Sequence, residues 1–373
     1  AANKTRPWDL IGSLQIMAGL VGATYALKEI GKREPAWGIA FLVLLIGVVF
    51  LALFARRQQS SLHPMIDFSL FRNTIFSSSV AAAIIAGAAG PIGSNVALAV
   101  GPALFGAKVP YLSNNPGPSQ FAGAQCNAFW FGTSYQNDAF HEAAGKLAAD
   151  RGFKKMFIMA PDYPAGKDAL VGFKRGYKTA PGEEVYTKLG QIDYAAEIAQ
   201  IRAAKPDAVY IFLPGGMGIN FVKQFVSTGL SQSVKLIGPG FSADEDVIQA
   251  VGEPMLGLFN TTHWAHDLDN AANKAFVAAF RKEYAGRTPS LYAAQAFDAI
   301  MAMDAAVKAV GGKVSDKDGL IKALAKAQYP SVRGNFRYAN NHYPVQNFYL
   351  RTVGKNAEGR ITNKTIKTVL ENY

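Results

Sequence analysis

Residues 37–55, WGIAFLVLLIGVVFLALFA, carry no charged side chain and nearly match the roughly 20 residues that a helix needs to cross a hydrocarbon core. A helix that is apolar all round belongs in a membrane or deep inside a large core. Before it, Leu10 to Leu27 is a second uncharged stretch of marginal length, with Gly and Ala spaced as in helices that pack in lipid. Trp8 and Trp37 stand where interfacial aromatics are expected. A third run, TIFSSSVAAAIIAGAAG (74–90), is short and rich in small residues. A weak span, a signal-peptide-like apolar region and the front of a buried helix all fit it. Lys28, Lys32 and Arg33 on one side of the second span face Arg56, Arg57 and Arg72 on the other, so the positive-inside rule leaves the orientation open.

After Gly90 the pattern changes to one of alternating strands and helices. VPYLSNN, FKKMFIMAPD, DAVYIFLPGG and VKLIGPG contain short β-rich runs, each closed by Gly, Pro, Asn or Asp. Between them lie NDAFHEAAGKLAADRG, GKDALVGFKRGYKT, YAAEIAQIRAAKP and GINFVKQFVSTGLS, with apolar residues at helical spacing. This alternation predicts a parallel sheet covered by helices, with binding loops beyond the carboxyl ends of the strands, at 113–119, 161–167, 213–218 and 239–243. A long helical region from Leu268 to Val310, broken near Thr288 and Pro289, and a terminal hairpin within VRGNFRYANNHYPVQNFYLRTV complete the pattern. With 373 residues the chain is long enough for two or three folding units.

The chemistry-bearing residues argue for binding rather than catalysis. The formal charge of +11 is not gathered into any basic stretch interleaved with aromatics, so nucleic acid is not an expected partner. Cys126 is the sole cysteine, which excludes an intrachain disulfide and a cysteine-based metal site. Of the five histidines only His263 and His266 are close in sequence, without further ligands beside them. LPGGMG lacks both the Lys-Ser/Thr of a P-loop and the GxGxxG spacing of a dinucleotide site. His266 and Asp267 in HWAHDLDN are the sole acid-base candidates, better read as pocket wall or helix cap. No catalytic set, metal or cofactor is expected.

Two resemblances follow from these residues. The WDLIGSLQ opening, the GLVGATYALKEIGKREPAWG hairpin and the RRQ...HPMIDFSLFRN connection resemble a middle segment of the fourteen-helix drug/proton antiporters of the major facilitator superfamily, over residues 8–85. About three of fourteen helices leave no second bundle for alternating access. From about Gly90 to Tyr373, GPIGSNVALAV, VPYLSNNPGPS, APDYPAGKDAL, PDAVYIFLPGG, LYAAQAFDA and SVRGNFRYANNHYPVQNFY resemble the type I periplasmic solute-binding proteins of branched-chain amino-acid-type ABC transporters. That resemblance implies an α/β fold of two Rossmann-like lobes, lobe one at about 89–135 and 260–328 and lobe two at about 136–259 and 329–373. Family members begin with further strands and helices that are absent before GPIGSN, which implies a truncated first lobe with an uncovered apolar face. Preceded by two to three transmembrane helices, such a domain would lie on the periplasmic side of the inner membrane and serve an ABC permease.

The resemblance also implies a site for a small carboxylate or amino acid. Its residues would be Ser94 and Asn95 after the Gly-rich turn, Ser113, Asn115 and Gly117 in the next loop, and Tyr163 and Leu213 on the second lobe. Phe241, Trp264 and Tyr292 would supply apolar walls. Gly240 and Phe241 stand where the family places an acid for an α-amino group, so Asp244 or Glu245 would have to substitute. The competing reading is a fragment of a membrane transporter with an incidental soluble tail.

Overall fold

The computed structural model describes residues 9–30, 36–60, 88–89 and 93–373. The chain divides into two units, Ala1–Ala81 and Ala82–Tyr373. In the first, α1 (Leu10–Ile30) and α2 (Trp37–Ser60) form an antiparallel hairpin. Asp9 caps α1 by accepting from the Gly12 N–H at 2.9 Å, and Arg57 near the end of α2 donates its Nε to the same carboxylate at 2.9 Å. Further along, a Cβ on Gly22 would lie 2.9 Å from the Gly47 Cα, so small residues let the backbones approach. The outer surface of α2 exposes Phe41, Leu42, Leu45 and Val49. Among the described residues α2 is the one helix long and apolar enough to cross a membrane; the apolar part of α1 is the shorter stretch Ile11–Gly22. The expected third run lies outside the described residues except for Ala88 and Ala89, which form a strand.

In the second unit the elements alternate as β1 (Ala88–Ala89), α3 (Ser94–Gly106), β2 (Tyr111–Ser113), α4 (Ser119–Ala122), β3 (Trp130–Gly132), α5 (Asn137–Asp150), β4 (Met156–Pro161), α6 (Pro164–Tyr177) and β5 (Glu183–Thr187). Next come α7 (Ala195–Ala204), β6 (Ala208–Ile211), α8 (Gly216–Ser227), β7 (Lys235–Pro239), α9 (Glu245–Val251), β8 (Phe259–Thr262), α10 (Ala271–Glu283) and α11 (Leu291–Ala309). The chain ends with α12 (Lys317–Ala325), β9 (Arg337–Tyr338), β10 (Pro344–Val345), β11 (Phe348–Lys355) and β12 (Ile361–Leu370). Strands β1, β2 and β3 form a small parallel sheet. A seven-stranded sheet runs in the order β12-β11-β8-β7-β6-β4-β5, parallel from β8 to β5 and antiparallel where β11 and β12 join.

Period-two alternation decides which core each strand residue enters. Along β4, Met156, Ile158 and Ala160 face Ala143, Leu147 and Phe173 of α5 and α6. Phe157 and Met159 face Ile198, Phe221 and Phe225 of α7 and α8. Both faces are covered, so β4 and β6 are apolar throughout and fully buried. Helices α5 and α6 meet so closely that a Cβ on Gly172 would lie 2.1 Å from the Asp138 carbonyl oxygen. Gly172→Ala is therefore expected to cost about 1–3 kcal/mol in urea denaturation. Gly216→Ala, with open space at its Cβ, is the control. Equal stability of the two variants would overturn the close-approach argument.

Two boundaries sit elsewhere than the sequence reading put them. Residues 260–328 were expected in lobe one, but Phe259–Thr262 is a strand of the large sheet, and Trp264 and Val277 belong to its core. The β9-β10 hairpin, expected in lobe two, packs on the small sheet: Gly132 donates its N–H to the His342 carbonyl at 2.9 Å, and Tyr343 donates its hydroxyl to the Pro118 carbonyl at 2.7 Å. Uncharged α3 buries Ser94, Ala97 and Gly101 while Val96 and Val100 remain 41% and 40% exposed, an incompletely covered apolar helix.

Candidate binding site

A cavity of about 240 Å³ opens where the carboxyl ends of β2, β4, β6 and β7 converge. Its polar end starts at α3. Gly93 offers no capping side chain, and the first N–H groups of a helix have no intrahelical partner, so this end of α3 is electropositive. Ser94 and Asn95 line the cavity there. The Ser94 Oγ accepts from the Asn137 Nδ2 at 2.9 Å, which leaves the serine's own hydrogen to donate into the cavity. Asn137 also receives the Gly117 N–H at 3.2 Å on its Oδ1 and touches the Asp168 Oδ2 at 3.1 Å. One buried amide thus joins α3, the 113–118 loop and α6.

That loop has a different role from the expected one. Asn115 lines the cavity, held through its Oδ1 by the Tyr135 hydroxyl at 3.2 Å and through its carbonyl by the Ser134 Oγ at 2.8 Å. Ser113 is fully buried and donates its Oγ to the Pro116 carbonyl at 2.6 Å, inside the loop. Gly117 does not line the cavity either; a Cβ there would lie 1.7 Å from the Tyr135 carbonyl oxygen, so it sets the path of the loop.

The rest of the wall is aromatic. Tyr163 stacks on Phe212 with 6.1 Å between centroids, and Phe241 meets Phe212 edge-on at 5.4 Å. Tyr135 and His141 fill the side next to α5, while Tyr292 (41% exposed) and Leu189 (57%) line the part nearest solvent. Leu213 faces the opposite core and Pro214 lines in its place, because adjacent residues at a strand end point to opposite sides. Trp264 is a core residue, donating its Nε1 to the Asn273 Oδ1 at 2.8 Å. Of the ten residues expected at the site, Ser94, Asn95, Asn115, Tyr163, Phe241 and Tyr292 line the cavity; Ser113, Gly117, Leu213 and Trp264 do not. Asn137, His141, Tyr135 and Phe212 carried no loop signature and were missed.

Among the described residues no charged side chain lines this cavity. Asp244 and Glu245, the expected substitutes for an ammonium-binding acid, point elsewhere. The Asp244 Oδ2 accepts the Leu291 N–H at 2.8 Å, and burial pushes its carboxyl up to about 7. Glu245 accepts from the Thr362 Oγ1 at 2.8 Å and from the Asn363 N–H at 3.0 Å. Burial holds the His141 imidazole at about 3, so it is neutral, and raises the Tyr163 and Tyr292 phenols, which stay protonated donors. Among the described residues no group of three or more His, Cys, Asp or Glu side chains is placed to hold a metal ion. A larger opening of about 460 Å³, lined by Glu245, His266, Arg281, Arg360 and Lys364 among others, draws all its walls from residues 245–364 around the large sheet, away from the converging strand ends.

Residues 78–358 match the family described as periplasmic binding protein. A Leu/Ile/Val-binding protein homolog 6 of Brucella melitensis is 30% identical over 279 residues, 73% of this chain and 71% of that protein. A solute-binding protein of an ABC transporter from R. palustris, solved in complex with benzoate, is 26% identical with a TM-score of 0.72, covering 99% of this chain and 94% of its own. Another, from Rhodopseudomonas palustris HaA2 in complex with p-hydroxybenzoic acid, is 29% identical with a TM-score of 0.70 over 76% of this chain and 78% of its own. Separately, 70 residues are 39% identical to the uncharacterised MFS-type transporter YvkA of Bacillus subtilis, 19% of this chain and 15% of that protein.

Proposed function

This chain belongs to the periplasmic binding protein family, and from that premise we propose that its second unit holds a small aromatic carboxylate, without catalysis, for ABC-type uptake. The observation that carries the reading is the cavity itself: neutral donors and a helix N-terminus at one end, aromatic rings around the rest, and no charged side chain among the described residues. A carboxylate gains from the α3 terminus and the Ser94 hydroxyl, since hydrogen bonds to a charged acceptor are the strong ones. The α-amino group of leucine would find no carboxylate, and an unpaired buried ammonium costs several kcal/mol. The benzoate and p-hydroxybenzoic acid carried by the two R. palustris proteins suit such walls. In this reading α2 anchors the chain in the inner membrane, the binding unit lies on the periplasmic side and an ABC permease is its partner. The transport-fragment reading loses ground because the likeness to YvkA spans 15% of that protein.

Titration calorimetry on the full chain in detergent tests this. Benzoate is expected to bind, leucine and phenylalanine to bind far more weakly. Ser94→Ala is expected to weaken benzoate about 10- to 100-fold through loss of a bond to a charged acceptor. Tight leucine binding with no response to benzoate would refute the ligand class, and no response to any of these solutes would count against the function.

A further inference from the structure

Resting on the aromatic-carboxylate reading, we infer that His141 is a specificity-determining residue, whose Nε2–H favours ligand rings bearing an acceptor oxygen at the end opposite the carboxylate. Asn137 and His141 stand four residues apart on α5, so they share a face about 6 Å apart. Asn137 is bonded to Ser94, which fixes the carboxylate end; His141 stands one helical turn further along the wall. That separation is comparable to the length of a para-disubstituted benzene. The imidazole is wedged among rings, 4.9 Å from Phe212 and 6.0 Å from Phe241 between centroids, so a ligand ring lying between those walls brings its far substituent to it.

The tautomer follows from the group behind it. The His141 Nδ1 is hydrogen-bonded to the hydroxyl of Tyr210, a fully buried residue whose hydroxyl has no other hydrogen-bond partner among the described residues. A buried hydroxyl left without an acceptor costs about 1–3 kcal/mol, so the Tyr210 O–H donates to Nδ1 and the imidazole proton resides on Nε2. Burial keeps the ring neutral and Tyr210 a phenol, so the donor is uncharged from pH 5 to 8. A neutral N–H discriminates by acceptor: it rewards a phenol or ether oxygen and leaves a methyl group without a partner.

The test compares two ligands of nearly one shape, 4-hydroxybenzoate and 4-methylbenzoate, by calorimetry on the full chain. The wild type is expected to prefer the hydroxy acid by about tenfold, the effect of one neutral hydrogen bond. His141→Phe should bring the ratio to about 1 while 4-methylbenzoate still binds. His141→Gln, which retains an N–H donor, should keep part of the preference. Tyr210→Phe, which frees Nδ1 and the tautomer, should narrow it, and the wild-type ratio should stay level between pH 5 and 8. An unchanged ratio in His141→Phe, or an equal loss for both ligands, overturns the inference while leaving the aromatic-carboxylate reading standing. Failure of the wild type to bind either acid overturns both.

Discussion

Replacing Arg333 with alanine is expected to lower the stability of the binding unit by about 3–5 kcal/mol, the loss that follows when one partner of a buried ion pair is removed. Arg333 donates its Nε to the Asp298 Oδ2 at 2.7 Å, and the two side chains are 3% and 0% exposed. Its Nη1 reaches the Ser134 carbonyl at 3.0 Å and the Gln346 Oε1 at 2.8 Å, and its Nη2 the Thr133 carbonyl at 2.7 Å. Thr133 and Ser134 lie on the passage from β3 to α5, Gln346 on the passage from β10 to β11, and Asp298 within α11. One guanidinium therefore pins the segments that connect the small sheet to the large one. Asp298, which also accepts from the Ser331 Oγ at 2.7 Å and the Val332 N–H at 3.1 Å, would be left as a buried charge without its cation. Adding Asp298→Asn to Arg333→Ala should recover part of the loss by neutralising that charge, but not all, because the Thr133 carbonyl and the Gln346 Oε1 lose the donor that Arg333 supplied, while the Ser134 carbonyl keeps the Gln346 Nε2 at 3.0 Å. Urea denaturation reads both variants; a loss below about 1 kcal/mol for the single variant would show that the charge pair does not hold the passages together.

The same clamp shows what a sequence hides. Arg333 and Asp298 stand 35 residues apart, in two separate segments, SVRGNFRYANNHYPVQNFY and LYAAQAFDA, and nothing in either segment says that they pair, whereas the alternation of strands and helices is written in local periodicity and was legible. Asn137 and His141 share the inward face of α5 with Ala144 and Ala148 at helical spacing, but as polar residues they gave no apolar signal, and only the tertiary structure shows that they line the cavity. Leu213 against Phe212 is a matter of one residue at a strand end, where period-two parity reverses the face. Ser113, expected in a loop, ends strand β2, and its hydroxyl closes the turn that follows on the Pro116 carbonyl rather than donating into the cavity. Strand β5, EEVYT, is an edge strand with its glutamates exposed, so it lacked the apolar run that marked β4. The apolar run at 37–55, which forms the helix long and apolar enough to cross a membrane, needed no tertiary context, because length and lack of charge define it.

Asp244→Asn is expected to stabilise the protein at pH 8 and to do little at pH 4. Asp244 lies at the head of α9 with 1% exposure. Burial raises its carboxyl to about 7 against the opposing pull of Arg351 on β11 and the Leu291 N–H at the start of α11, with the neighbouring Glu245 adding a smaller upward push. The unfolded chain ionises the same group near 3.9. Its contribution to stability is thus fully present below about pH 4 and is lost as the pH climbs to about 7, after which the deficit is constant. Three pH units correspond to about 4 kcal/mol at most, an upper bound because buried groups relax. The buried histidines act in the opposite sense: His141, His263 and His266 are held below their usual range by burial and favour folding as the pH rises toward 6.5. The wild-type profile alone mixes the two, so the informative quantity is the difference between variant and wild type, in which the histidines cancel. An asparagine can still accept the Leu291 N–H through its Oδ1, which keeps α11 capped and Tyr292, the next residue, on the cavity wall. Melting temperatures at half-unit steps should show that difference growing between pH 4 and 7 and then levelling. A flat difference, or one that shrinks with pH, would mean that Asp244 is ionised in the folded protein and paired with the buried Arg351 instead.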